Sequence, residues 1–136
     1  MGDESYFILL ADSHAVFRED LRRMIVEKPF LDIVGEVSDG FQIPTLLSGL
    51  SPHLIILDTS ISSLQGMETT RQIKAIRPSI KVLILGTHRE KEYLEMAFSA
   101  GADGYLLKED AYGEILSAID TIRQGRSFIS SRFDAK

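Results

Sequence analysis

Leu54-Ile55-Ile56-Leu57-Asp58 decides the fold: four branched apolar residues in a row, closed by a carboxylate. A second run, Phe7-Ile8-Leu9-Leu10-Ala11-Asp12, ends in the same way. Strands that are apolar without alternation are buried on both faces, the mark of a parallel sheet covered by helices on each side. Ligands of open α/β sheets bind in the crevice outside the carboxyl ends of the strands. Two such strands that each finish in an aspartate therefore predict a small acidic pocket at the mouth of the sheet.

Outward from these runs, short apolar stretches alternate with amphipathic ones. Tyr6–Asp12 reads as the first strand. Val16, Leu21, Met24 and Ile25 then share a helical face, up to a stop at Pro29. Leu31–Val37 is a weaker second strand, and Asp39-Gly40 marks a turn. The spacing predicts helix over Phe41–Leu50, with Pro44 in its first turn, then strand Leu54–Asp58, a loop over Thr59–Gln65 and helix over Met67–Ile76. Strand Lys81–Leu85 and helix Lys91–Ala100 follow, the helix closed by Gly101. Strand Gly104–Leu107 and helix Ala111–Arg123 complete five βα units, with Gly125 at the end. Right-handed crossovers make this an α/β protein: a five-stranded parallel sheet, doubly wound, in a (βα)5 flavodoxin-like three-layer sandwich. Residues 126–136 show no period and read as a linker or tail.

Length and composition narrow the function. The chain has 136 residues, one domain's worth, and 44% of them are hydrophobic. It has no cysteine, which excludes disulfides and thiolate zinc sites. A net charge of -5 argues against the chain itself wrapping nucleic acid. No apolar stretch reaches the ~20 residues of a membrane span. Met1-Gly2-Asp3-Glu4-Ser5 lacks the basic start of a secretory signal. The expected location is cytoplasmic, with no membrane partner.

Asp12, Asp58, Gly86-Thr87 and Lys108 fall at or near strand ends on a single rim. Mg²⁺ is held by oxygen ligands, commonly one or two carboxylates with phosphate oxygens and waters. A carboxylate can attack a phosphoryl group, and a lysine offers it a point charge. His14, His53 and His88 show no metal spacing and read as surface residues, with His14 and His88 near the rim. A flavin site is disfavoured, because the loop after strand one, Asp12-Ser13-His14-Ala15, is acidic and lacks glycine.

Four stretches carry a family resemblance: Leu9-Leu10-Ala11-Asp12-Ser13-His14, Ile55-Ile56-Leu57-Asp58, Gly66-Met67-Glu68-Thr69-Thr70-Arg71 and Ala100-Gly101-Ala102-Asp103-Gly104-Tyr105-Leu106-Leu107-Lys108. The chain resembles a response-regulator receiver domain of a two-component system, of the type that precedes a LuxR/NarL-type helix-turn-helix. The resemblance covers residues 6–125. It implies that Asp58 accepts a phosphoryl group from a sensor histidine kinase and that Asp12, Asp58 and the carbonyl of Ser60 hold Mg²⁺. It implies that Lys108 pairs with the phosphate and that Tyr105 is the aromatic switch. The implied protein is not a turnover enzyme; its chemistry is at most phosphoryl transfer and autodephosphorylation. It further implies a homodimer through the helix-four, strand-five and helix-five face, where Tyr93 and Tyr105 sit. DNA contact would come only through a C-terminal domain outside this chain, reached through a linker beginning near Arg123.

Two positions depart from the family pattern. Ser13 replaces the acid that normally ligates the metal directly, so weakened Mg²⁺ binding is expected without phosphate. Gly86 falls where a switch Thr or Ser is expected, and Thr87 is the adjacent hydroxyl, able to reach the site through a bulge. The loop after Asp58 reads Ile61-Ser62-Ser63-Leu64 and lacks the usual Pro-Gly, which predicts a mobile loop. These departures define an alternative, a pseudo-receiver acting as a phosphorylation-independent interaction or dimerisation module.

Overall fold

The computed structural model describes residues 4–60 and 63–134. The chain runs β1 (Tyr6–Ala11), α1 (Ala15–Val26), β2 (Leu31–Val37), a 3-10 turn (Gly40–Gln42), α2 (Ile43–Leu46), β3 (Leu54–Asp58) and α3 (Ser63–Ile76). It continues through β4 (Lys81–Gly86), α4 (Lys91–Ser99), β5 (Gly104–Leu107), a 3-10 turn (Lys108–Asp110), α5 (Ala111–Arg123), β6 (Phe128–Ile129) and a last 3-10 turn (Ser131–Asp134). The strand order is β2-β1-β3-β4-β5-β6, all parallel.

Side chains of a strand point alternately to its two faces, and here both faces are apolar. Ile8, Leu10, Leu54, Ile56, Leu83, Leu85 and Leu106 meet Leu21 and Ile25 of α1 and Ile115, Ile119 and Ile122 of α5. Leu9, Ala11, Ile55, Leu57, Val82, Ile84, Tyr105 and Leu107 meet Ile43 of α2, Met67 and Ile73 of α3, and Ala97 of α4. The result is the three-layer arrangement the uninterrupted apolar runs require.

Among the described residues the sheet has six strands, not the five expected. β6 lies within the stretch read as linker, where it pairs Phe128 with Gly104 and Ile129 with Tyr105. Two residues are too few to display a period. The route to β6 is set at Gly125, whose φ of +88° continues the chain past α5 in a left-handed turn; Gly101, at +106°, does the same between α4 and β5. Phe128 then packs into the α1/α5 core and Phe133 into the other.

Smaller differences have local causes. α3 begins at Ser63 rather than Met67, because the residues before Met67 add no buried apolar side chain to its stripe: Leu64 is 73% exposed. The helix predicted over Phe41–Leu50 is shorter. Asp39 accepts a hydrogen bond from the Phe41 N–H at 2.9 Å and starts a 3-10 turn, and four α-helical residues follow. Ile61 and Ser62, on which the mobile-loop expectation rests, and residues 1–3 and 135–136 lie outside the described residues.

β1 is followed by β2 on one side of the sheet and β3 lies on its other side, so the crossover direction reverses there. Helices leave the sheet in opposite directions at such a point and open a crevice between them. Asp12, just past β1, and Asp58, the last residue of β3, flank that crevice.

Candidate functional site

Each site residue is placed by where its strand stops. β1 and β3 run in register from Ile8↔Leu54 to Ala11↔Leu57, so Asp12 and Asp58 emerge side by side. β5 ends at Leu107, and the 3-10 turn after it starts with Lys108. The Lys108 ammonium lies 3.1 Å from Asp58 Oδ2 and 3.2 Å from Asp12 Oδ2. Both carboxylates are almost fully buried, with side chains 3% and 4% exposed for Asp58 and Asp12.

The carboxylates are held differently. Asp58 Oδ1 accepts the Ser60 N–H at 3.0 Å and Oδ2 accepts the Ser60 hydroxyl at 2.9 Å. Asp12 Oδ1 accepts the His14 N–H at 2.7 Å. Among the described residues Asp12 Oδ2 has no hydrogen-bond donor; it lies 3.2 Å from the Lys108 ammonium. Burial pushes the Asp12 carboxyl above its ordinary range; the His14 N–H opposes this, the charge on Asp58 adds to it, and Lys108 opposes it.

A buried carboxylate oxygen lacking a donor is costly unless something positive completes it. The donor set is oxygen-rich, and a dication suits it. The residues present therefore fit Mg²⁺, with Asp12 and Asp58 as anionic ligands. Ser13 contributes no charge, so two carboxylates stand against one ammonium.

Two cavities flank the carboxylates. One, of about 510 Å³, is lined by Asp12, Ser13, Asp58, Asp39, Phe41 and Thr69 among others. The other, of about 450 Å³, is lined by His14, Ser60, Thr87 and Lys108. Thr87 thus reaches the rim, but not by the bulge considered above. β4 and β5 stay in register through Gly86↔Leu107, and Thr87 follows directly where the strand ends.

Gly86 is not only a lost hydroxyl. Tyr105, on the neighbouring strand, turns its ring over residue 86 and donates its phenolic hydrogen to the His88 carbonyl at 3.0 Å. The ring is buried, and Phe133 meets it edge-on at 5.4 Å. Tyr93 stacks on His88 at 4.0 Å, close to where the partner face was expected.

The sequence placed His14 near the rim as a surface residue without a ligand role, and Phe17 and Arg18 escaped it. His14 belongs to the cluster itself: its Nδ1 lies 2.8 Å from Lys108 Nζ, 3.3 Å from Asp12 Oδ1 and 3.8 Å from Asp58 Oδ2. Phe17 puts its ring 4.5 Å from the ammonium. Arg18 donates to the Asp12 carbonyl and pairs with Glu36. Their adjacency to Asp12 was the only available signal.

Residues 8–120 match the family model for the response regulator receiver domain. The chain belongs to this family. The receiver is 31% identical over 122 residues to the transcriptional regulatory protein DegU of Brevibacillus brevis, a match covering 90% of this chain and 52% of DegU. It is 32% identical over 129 residues to the nitrate/nitrite response regulator protein NarL of Escherichia coli K12, covering 95% of this chain and 60% of NarL. The receiver therefore spans between half and two thirds of the length of these relatives. Among solved structures it resembles a LuxR-family two-component response regulator from Aurantimonas sp. SI85-9A1, with a TM-score of 0.88 and 30% identity over 96% of this chain and 94% of that one. No helix among the receiver's described residues is long and apolar enough to cross a membrane.

Proposed function

We propose that this receiver takes a phosphoryl group on Asp58 from the phosphohistidine of a sensor kinase and relays it to a transcriptional output domain. The observation that carries the reading is the Lys108 ammonium, 3.1 Å from Asp58 Oδ2 and shared with Asp12. A buried nucleophilic carboxylate beside a fixed cation suits a transfer whose transition state gathers charge on the phosphoryl oxygens.

A carboxylate oxygen of Asp58 forms the new P–O bond while the P–N bond to the donor imidazole breaks, leaving an acyl phosphate on Asp58 and a free histidine on the kinase. The cavity lined by Ser60, Thr87, Lys108 and His14 receives the phosphoryl oxygens. Lys108 meets one of them, and the Thr87 hydroxyl stands in for the one Gly86 lacks. Mg²⁺, held by Asp12, Asp58 and the Ser60 carbonyl, supplies charge neutralisation when bound. With Ser13 neutral, the phosphoryl charge itself strengthens that binding. Tyr105 and the segment Phe128–Phe133 that covers it connect the rim to the output side. Dimerisation through the α4, β5 and α5 face, and DNA contact through a further domain, complete the reading.

Incubation with acetyl phosphate or a kinase in Mg²⁺, followed by intact-mass measurement, tests it. One phosphoryl adduct, lost in Asp58→Asn, is expected. No adduct, or one that persists in Asp58→Asn, would point instead to a phosphorylation-independent module.

A further inference from the structure

We propose that His14 is a nitrogen ligand of the rim, and that the site takes a borderline dication of the Co²⁺/Zn²⁺ class in preference to Mg²⁺. His14 Nδ1 faces the two carboxylates, 3.3 Å from Asp12 Oδ1 and 3.8 Å from Asp58 Oδ2. One donor atom from each of Asp12, His14 and Asp58 lies within 4.8 Å of the other two. Ligand bonds of about 2.0–2.2 Å place two ligands of one ion up to about 4 Å apart, so small movements bring all three onto a common centre.

Three features give this triangle its character. Asp12 Oδ2 is buried and accepts no hydrogen bond from the described residues, so a carboxylate lone pair is available at the site. The Lys108 ammonium has only donors, so its 2.8 Å contact with His14 makes Nδ1 the lone-pair nitrogen, the form a metal binds. Lys108 Nζ also reaches Asp58 and Asp12 at 3.1 and 3.2 Å. The ammonium thus holds a cation position among the three acceptors, and an incoming ion replaces it there.

Replacing a carboxylate donor with imidazole changes which ion is preferred. Mg²⁺ demands oxygen ligands and dehydrates reluctantly. Imidazole suits Zn²⁺ and Co²⁺, which stand above the earlier dications in intrinsic affinity. Ser13 withholds the charge Mg²⁺ relies on, and His14, the next residue, offers nitrogen.

This inference rests on Asp12 and Asp58 as the metal-binding carboxylates proposed above and sets the ion on their Lys108 side, where His14 lies; it does not rest on Asp58 being phosphorylated. The test titrates the unphosphorylated chain with CoCl₂ and, separately, MgCl₂, followed by thermal shift and by the visible absorption of bound Co²⁺. Co²⁺ is expected to bind at least about tenfold more tightly than Mg²⁺, with His14→Ala losing about tenfold for Co²⁺ and little for Mg²⁺. His14 is 58% exposed, so this variant folds. Co²⁺ binding indifferent to His14→Ala overturns the proposal, as does binding that survives Asp58→Asn and so belongs to another histidine. Phosphoryl uptake in Mg²⁺ with no His14 effect on Co²⁺ defeats this inference alone. A His14-dependent Co²⁺ site without uptake defeats only the phosphoacceptor reading.

Discussion

The phenol of Tyr105 occupies the space that a β-carbon on residue 86 would need: a Cβ built on Gly86 falls 2.2 Å from Tyr105 Oη and 2.6 Å from Cζ. Gly86 and the inward ring are one arrangement. The ring's hydroxyl is tied to the His88 carbonyl, and its edge is covered by Phe133. Any side chain at residue 86 must evict the ring or shift β4.

Gly86→Thr, which would give the rim its usual hydroxyl, is therefore expected to destabilise the fold by about 1–3 kcal/mol, the range for overpacking a core. Urea denaturation measures this. Tyr105→Ala removes the obstruction, so the double variant should show a favourable coupling. Additive losses would mean that the two positions do not share space. Amide exchange adds a second readout: Ser130, whose N–H donates to the Tyr105 carbonyl at 2.9 Å, should lose protection in Gly86→Thr before β1 and β3 do.

Lys108 compensates two buried carboxylates at once. Lys108→Ala leaves Asp12 and Asp58 facing one another without a cation, and a cost of about 3–5 kcal/mol at neutral pH is expected, as for breaking a buried pair. The pH dependence has a definite sign. Asp12 already holds its proton more tightly in the fold than an ordinary carboxyl, chiefly through burial and against the pull of Lys108. Removing Lys108 raises that affinity further. A group whose pKa is raised by folding stabilises the fold below its unfolded value, and that contribution is lost as pH rises through the folded one. The deficit of Lys108→Ala should therefore shrink on acidification toward the ordinary carboxylate range. Denaturation curves at neutral and acidic pH decide it; a constant deficit would contradict the shared role.

What could be read from the sequence was what leaves a local trace. β3 and β5 were legible to the residue because each is an uninterrupted apolar run, and Asp12, Asp58 and Lys108 were legible because each closes one. β6 left no trace, since a two-residue strand has no period and depends on β5 for its partner. The meaning of Gly86 was hidden because it lies on the next strand, in a ring rotamer that no spacing encodes. His14 was visible beside Asp12, but whether its ring turns toward the carboxylates is decided by Lys108, 94 residues away in the chain.

His53 read as a plain surface histidine, yet its ring anchors the start of β1. Nδ1 accepts the Phe7 N–H at 2.8 Å, and the imidazole stacks on Tyr6 at 5.1 Å and Phe7 at 5.2 Å. His53→Ala removes the acceptor and both stacking contacts. A loss of about 1–3 kcal/mol is expected from the unpaired N–H and the missing ring contacts. The thermal midpoint should fall, while phosphoryl uptake at the opposite end of the sheet is unchanged. An unaltered midpoint would show that water replaces the ring at no cost.

Tyr6 and Tyr105 are both buried, and burial pushes both phenols up to about 12. A phenol ionises near 10 in the unfolded chain, so each favours the fold below that value, and the contribution is lost as pH rises from there through the folded value. Alkaline denaturation should steepen in this window, and replacing either residue with Phe should flatten it. Below it the two substitutions should diverge. Tyr105 donates to the His88 carbonyl, so Tyr105→Phe leaves that acceptor unpaired and costs about 1 kcal/mol. The Tyr6 hydroxyl is buried with no partner among the described residues, so Tyr6→Phe removes an unsatisfied group and leaves stability level or raises it. Thermal melts at neutral pH, with tyrosinate absorbance followed in base, test both halves. Equal losses in the two variants would mean that the Tyr6 hydroxyl has a partner and that the Tyr105–His88 bond is not distinctive.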